Sequence, residues 1–525
     1  MRGRWRRSIP GWVFSIARPG MLARLRLKAF AGILGGLALV SVAAAQSRSP
    51  SQVDAGPGSP TGHPVTLSID ERVREENWQW FAAPPTSNTY SYLPSLLRIA
   101  LSQQINRWDW RLELSQPAVL GLPRDAVSPV SAQGQLGLGA TYYASGGNNP
   151  DPAAAFLKQG FLRYRFADDR TLRLGRFEFF GGVETHPKDP TVAWLQNNRI
   201  QQRLIGNFGF TNGQRSFDGV DGHFSSGAWN VTAMAARADQ GVCTMNGSPE
   251  LNVDAQYLAF TRTAAHGRVL ARAFAIGYHD GRTGVTKTDN RPLSVRQADH
   301  KNIRLGTWGG SLIATQPAGP GTLDFVFWGA LQYGAWGTES DRAGGAALES
   351  GYRLTQVPTM PWLRGGWWLG SGDNNPSDSK NTTFFQMLPT PRVYARLPFY
   401  NLMNTTDSFV QLIDDPAKRL ELRSDLHWID LTSRHDLWYL GGGAYDNKVF
   451  GFTGRPANGD TSLASVADIS SDWQATPHLA VNLYYGYGWG KRVVSAIYPA
   501  GSDIQFGYAE LVWRWGVTSG AGKSH

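Results

Sequence analysis

The sequence predicts an all-β protein: a transmembrane antiparallel up-and-down β-barrel of about 18 strands, with short periplasmic turns and long extracellular loops. Three observations predict it. Stretches throughout the chain alternate apolar residues with polar or small ones. The connections between these stretches alternate between short and long. The chain also carries 20 Trp, 18 Tyr and 24 Phe at a mean hydropathy of only −0.31. That load suits aromatic girdles at two membrane interfaces, not apolar helical spans.

The 525 residues divide into four expected segments. Residues 1–45 read as a signal peptide. They hold eight basic residues and no acid, an apolar run from Ala29 to Ala45, and Ala43-Ala44-Ala45 before Gln46 as a cleavage site. Met21 offers a second start. Residues 46–64 are Ser, Pro and Gly with little that is apolar, and are expected to be a disordered periplasmic lead-in. The barrel is expected over 65–517 and a tail over 518–525. The formal charge of +10 belongs to the leader: 51 basic residues less those eight leave 43 against 41 acids. This near-neutral remainder argues against nucleic acid as a partner.

The clearest strand is Trp108 to Ser115, with Trp108, Trp110, Leu112 and Leu114 opposite Asp109, Arg111, Glu113 and Ser115. Val65 to Arg74 sets Val65, Leu67, Ile69 and Val73 against Asp70, Arg72 and Arg74. Arg419 to Trp428 sets Leu420, Leu422, Leu426 and Trp428 against Glu421, Arg423, Asp425 and His427. Leu479 to Trp489 places Leu483, Tyr485, Tyr487 and Trp489 on one face. An arginine alternating with leucine needs water or counter-charge on one side and an apolar medium on the other, which a barrel in lipid supplies.

From Phe156 onward, short turns are expected at 168–169, near 225–227, and at 264–267, 316–321, 356–360, 415–418 and 476–477. Long connections are expected at about 181–214, 238–252, 280–301, 337–346, 371–406, 431–462 and 491–502. Nineteen stretches qualify as strands, but both termini on the periplasmic side require an even number. The strand from Phe156 precedes a short turn and must be even-numbered. Leu136 to Tyr142 therefore belongs to a loop, giving 18; the alternative is 20 with one strand missed. In the last strand, Ile504 to Trp515, the apolar parity slips near Glu510, and a β-bulge is expected there.

Polar faces carry Arg72, Arg74, Arg98, Arg111, Arg163, Arg165, Arg173 and Arg423, with Asp70, Asp109, Glu113, Glu421 and Asp425 among them. Such ladders can serve the wall alone, by satisfying one another. Collectively, arginines in a narrow pore favour anions. No G-x-S-x-G elbow, no HExxH and no Cys–His context is present, so no enzyme is expected. Cys243 is alone, a loop thiol.

Several motifs resemble the alginate export family of outer-membrane barrels. They are Arg173-Leu174-Gly175-Arg176, then Glu184, then Arg215-Ser216-Phe217-Asp218-Gly219 after a long connection containing Arg199 and Arg203. A second set runs from Ser371-Gly372-Asp373 through Pro376 and Asp378 to Thr383-Phe384, Pro389-Thr390 and Asn401. The resemblance implies an 18-stranded barrel with an arginine-rich constriction for anionic polysaccharide. It implies that Arg173, Arg176 and Arg215 line the narrow zone, with Glu184 and Asp218 as counter-charges. The 181–214 and 371–406 loops would fold over or into the mouth.

The expected pore-lining set is thus Arg72, Arg74, Arg111, Arg173, Arg176, Glu184, Arg199, Arg203, Arg215, Asp218 and Arg423. Asp373 and Asp378 are candidates for a structural Ca²⁺, with no other cofactor expected. The expected partners are outer-membrane lipid, an anionic alginate-like polysaccharide or small anions, and periplasmic export machinery, with the barrel monomeric. A general or sugar-uptake porin and a barrel-scaffolded surface receptor are the competing expectations.

Overall fold

A computed structural model describes residues 63–127, 135–390 and 392–518. The expected signal peptide, nearly all of the lead-in and the last residues of the tail lie outside the described residues.

The strands are β1 (Val65–Gln79), β2 (Thr89–Ile105), β3 (Trp108–Leu120), β4 (Phe156–Ala167), β5 (Arg170–Phe177) and β6 (Phe217–Ser226). Next come β7 (Trp229–Asp239), β8 (Glu250–Ala264), β9 (Val269–Asp280), β10 (Ile303–Ala318), β11 (Gly321–Trp336) and β12 (Glu339–Leu354). The last are β13 (Trp362–Gly370), β14 (Thr405–Ala417), β15 (Leu420–Leu431), β16 (Ser462–Gln474), β17 (Leu479–Gly490) and β18 (Asp503–Thr518). Each pairs antiparallel with its sequence neighbours. β1 pairs with β18 from Thr66↔Thr518 to Gln79↔Gln505, which closes an 18-stranded barrel with no free edge.

The parity read from sequence holds along the walls. Leu112, Leu114, Leu174, Leu348, Trp308 and Ile469 are exposed outward, where lipid covers them. Their neighbours Asp109, Glu113, Thr307, Glu349 and Asp468 are buried inside. Leu138–Ser145 is a short helix, α1, inside the connection after β3, so that stretch does not span.

Two expectations are corrected. The long connection at 337–346 is instead the two-residue turn Gly337-Thr338, with β11 and β12 in register from Gly321↔Leu354 to Trp336↔Glu339. Gly337 takes φ +64, the left-handed backbone that a two-residue hairpin requires. The bulge at Glu510 is absent: β18 keeps continuous register with both neighbours. Phe506 and Tyr508 share the inward parity of Glu510. They face a packed interior and are not a lipid-facing row that slips.

That interior is apolar because the long connections fold into it. Phe179, Val192, Leu195 and Leu204 of the 178–216 connection pack with Phe384, Phe385 and Met387 of the 371–404 connection, against Trp328 and Trp368 of the wall. In the 178–216 connection, Asp189 caps helix α2 (Pro190–Leu195) by accepting from the amides of Thr191 and Val192, both at 2.9 Å. Pro190 at the first helical position needs no donor there. A π-turn, Gln196–Ile200, continues it. The two connections are stitched backbone to backbone. Leu388 N donates to Leu204 O at 2.8 Å, Gly206 N to Leu388 O at 2.8 Å, and Thr390 N to Gln202 O at 3.0 Å.

Candidate functional site

Most of the arginines singled out from the sequence fall into three settings. The first is buried within the inward-folded connections. Arg199 and Arg203 are each 2% exposed and share Glu349 with Arg364 of β13. Arg203 lies among the rings of Trp328, Trp368 and Tyr394, 5.1–5.6 Å from their centres. Arg215 donates to Gly206 O at 2.7 Å, Leu388 O at 2.9 Å and Gly442 O at 3.2 Å, and so ties three connections together. Burial, only partly offset by the charge of Asp239, lowers its guanidinium to about 10. Glu184 accepts from Gly182 N, from Arg272 at 3.1 Å and from the Tyr257 hydroxyl. Burial opposes its ionisation, but Arg272 and these hydrogen bonds win and hold the carboxyl below its usual range. These side chains hold loops in place and have no solute-facing surface.

The second setting is the outer face. Arg176 and Asp218 pair side by side at 2.6 and 2.7 Å, with Arg176 also reaching Ser248 O at 2.9 Å. Both share parity with Leu172, Leu174 and Val220, the lipid-facing row. The resemblance places them in the constriction; alternation along β5 and β6 puts them outside it. A strand turns residues three apart to opposite faces, so Arg173 and Arg176 cannot both face the lumen. Arg173 does face inward, bonded to Asp221 at 2.7 Å.

The third setting, half-buried at Arg111, Arg163, Arg165, Arg392 and Arg396 and buried at Arg98 and Arg423, gathers toward the short-turn end. Arg111 bonds Glu113 at 2.6 Å, and Glu113 also pairs with Arg98. Arg163 and Arg165 share Asp109 at 2.8–2.9 Å. Two arginines therefore meet one carboxylate on each of Asp109 and Glu113, although Arg98 is met a second time by Glu178 at 2.9 Å.

The fullest instance is a cleft of about 600 Å³, open mouth included, lined by Asn197, Asn198, Gln201, Gln202, Arg392, Arg396 and Arg423. Its side chains come from the π-turn, from the strap after Thr390 and from β15. Arg423 donates to Asn198 Oδ1 at 3.1 Å and lies 3.7 Å from Glu421. Arg396 pairs with Asp472 at 2.9 Å, which outweighs burial and raises its guanidinium well above the usual range. Arg392 stacks 3.8 Å over Phe210, and its Nε donates to Arg396 O at 2.8 Å. Among the described residues no carboxylate pairs with Arg392, and its Nη2 is buried without a hydrogen-bond partner. Burial and the charges of Arg396 and Arg74 pull its guanidinium down. Of this cleft the sequence singles out Arg423 only. Arg392 and Arg396 lie in a non-periodic run, Pro391-Arg392-Val393-Tyr394-Ala395-Arg396. Its one signal is its position directly after the Pro389-Thr390 motif.

Arg72 and Arg74 bridge wall and loop. Arg72 donates to Gly209 O at 2.6 Å and Thr211 O at 2.8 Å, and Arg74 to Glu510 at 2.8 Å and Phe210 O at 3.0 Å. Asp373 and Asp378 lie on one loop, close enough for the charge of Asp378 to act on Asp373. Asp373 is buried and closes a turn through Asn375 N and Thr382 Oγ1, whereas Asp378 is exposed and caps Lys380 N.

A closed barrel with a lipid-facing outer row, short turns at one end, inward-folded loops at the other and a basic cleft between is a channel of the bacterial outer membrane. The chain belongs to the alginate export family, whose model matches residues 194–489. No curated protein matches it by sequence.

Solved structures match the fold at low identity. The outer-membrane protein OpdK of Pseudomonas aeruginosa is 9% identical with TM-score 0.52, covering 86% of this chain and 99% of its own. OccAB2 of Acinetobacter baumannii is 7% identical with TM-score 0.55, covering 86% and 98%. OpdK has also been solved with vanillate, at 9% identity, TM-score 0.50 and coverage of 86% and 99%.

Proposed function

We propose that this channel passes an anionic, alginate-like saccharide, gathered on its short-turn side by arginines in excess of their carboxylates. The observation that carries the proposal is the cleft of Arg392, Arg396 and Arg423. Three guanidinium groups meet two carboxylates, Glu421 and Asp472, and among the described residues none pairs with Arg392. Guanidinium offers planar, paired donors that match a uronate carboxylate, and low-dielectric walls strengthen the field. Sharing acids with the wall keeps the arginines from holding a solute too tightly, since passage needs release. Asn197, Asn198, Gln201 and Gln202 add neutral donors and acceptors suited to sugar hydroxyls. A basic vestibule on the periplasmic side suits export.

The test is block of single-channel current by polyuronate oligomers against neutral oligosaccharides of equal length. Acidic oligomers should block at lower concentration from the periplasmic side. Replacing Arg392 and Arg396 by Gln should erase the difference. Equal block by both classes would leave a general porin as the reading. A second reading, passage of small aromatic or aliphatic carboxylates, takes support from the OpdK–vanillate structure. It predicts block by monomeric carboxylates as strong as by oligomers.

A further inference from the structure

A cluster on the inner wall is used by nothing described so far. Asp425 and His427 are two apart on β15 and so share its inward face. Asp468 on β16 is the direct cross-strand partner of Asp425. Like charges set directly opposite in a sheet repel, more so in a dry interior, unless a cation or a proton lies between them. All three residues are buried: Asp425 is 4% exposed, His427 1% and Asp468 7%. One ligand atom from each lies within 4.8 Å of the others.

Two atoms in this cluster are orphaned. His427 Nε2 and Asp425 Oδ1 are both buried without a hydrogen-bond partner. The other histidine nitrogen is not: Nδ1 lies 3.0 Å from Asp407 Oδ1, and Asp407 is itself held by the Tyr400 hydroxyl at 2.7 Å. A carboxylate behind Nδ1 fixes the ring, raises its basicity and aims Nε2 forward, as in carboxylate–histidine–metal arrangements. Asp468 is likewise oriented, accepting from Tyr484 Oη and from Arg396 N, both at 3.1 Å. Of the guanidinium groups around the cluster, Arg396 is engaged by Asp472, Arg423 lies beside Glu421 and Arg199 pairs with Glu349.

We propose that Asp425, His427 and Asp468 bind a divalent transition metal of the zinc class, oriented by Asp407. One imidazole and two carboxylates form a mixed nitrogen and oxygen set that suits Zn²⁺ or Co²⁺ better than Ca²⁺, which prefers oxygen alone. The site neutralises the Asp425–Asp468 pair. Through Asp468 it also anchors the backbone of Arg396, the strap that carries the basic cleft. The site does not depend on what the channel transports.

The experiment uses untagged, folded full-length barrel in detergent, stripped with chelator and titrated with Zn²⁺ and separately Co²⁺. One equivalent should bind per chain, and Co²⁺ should give visible d–d absorption of a low-coordinate nitrogen and oxygen site. His427→Gln and Asp425→Asn should abolish it, and Asp407→Asn should weaken binding about 10–100-fold. His435→Gln, away from the cluster, should not change it. Heat-modifiable migration on gels establishes that each variant is folded. Folded wild-type barrel that binds no metal, or binds it equally in His427→Gln, overturns the proposal. The pair would then be held by a shared proton.

Discussion

Arg74 of the first strand donates to Glu510 of the last, Nε to Oε2 at 2.8 Å, directly across the seam that closes the barrel. Glu510 also accepts from Asn482 on β17 at 2.8 Å, and Arg74 reaches Glu76 at 3.1 Å. Both Arg74 and Glu510 are buried. Removing Glu510 leaves Arg74 with Glu76 alone and takes from buried Arg72 the carboxylate beside it. Glu510→Ala should therefore cost about 3–5 kcal/mol, read as a lower midpoint for heat-induced loss of the compact gel form. The double replacement Arg74→Met with Glu510→Leu should recover only part of that loss, because Arg72 and Glu76 each lose a charged neighbour. An unchanged midpoint in Glu510→Ala would show that the seam is held by backbone pairing alone.

Ion selectivity should track the cleft and not the outer face. Arg392→Gln with Arg396→Gln should reduce chloride preference over potassium by about half or more at ~0.1 M salt, and less at ~1 M, where screening shortens the field. Arg176→Gln with Asp218→Asn should leave reversal potentials unchanged, because that pair lies on the outer side of the wall, partly covered by Gly247 and Ser248. A selectivity change in the latter variant would contradict the parity of β5 and β6.

Arg215 is the joint of the inward-folded connections. Arg215→Met removes donors from three carbonyls while keeping bulk and apolar contact. It should raise open-channel noise and expose the 371–404 connection to protease, while the gel shift of the barrel persists. Arg215→Lys should restore one of the three bonds and part of the protection.

Loop docking should also depend on pH. Asp436, in the connection after β15, is buried and accepts from Thr383 Oγ1 at 2.6 Å and Tyr439 Oη at 2.7 Å. Burial raises its carboxyl to about 6, from an ordinary 3.8. Because the docked value lies above the free one, docking is strongest below about pH 4 and weakens as pH rises through about 6. The shift corresponds to on the order of 2–3 kcal/mol. Proteolysis of the 432–461 connection should quicken between pH 4 and 7, and Asp436→Asn should flatten the dependence.

The wall was legible in the sequence because lipid demands one answer from every outward residue. Leu112 and Leu114, or Leu426 and Trp428, could face nothing else. The lumen was less legible because loops supply its surface. Phe506 and Tyr508 looked like a lipid-facing row, and only the folded-in connections explain why aromatics point inward. Ala343 to Ala346 read as loop because its residues are small, and its partner on β11 alone makes it strand. Arg173 and Arg176 were taken together as one motif, and that grouping hid the simple parity that separates them. Arg392 and Arg396 carry no periodicity at all, since their strap takes its shape from contacts with Gln202 and Asp468.

The Gly337-Thr338 turn bears on the order of assembly. Through it, β11 and β12 form sixteen consecutive pairs whose residues lie close along the chain. Little chain entropy is lost in bringing them together, so this hairpin can form early and locally. The Arg74–Glu510 seam joins residues 436 apart. It can form only after every intervening strand is placed, and it is the step at which an inserting sheet becomes a sealed wall.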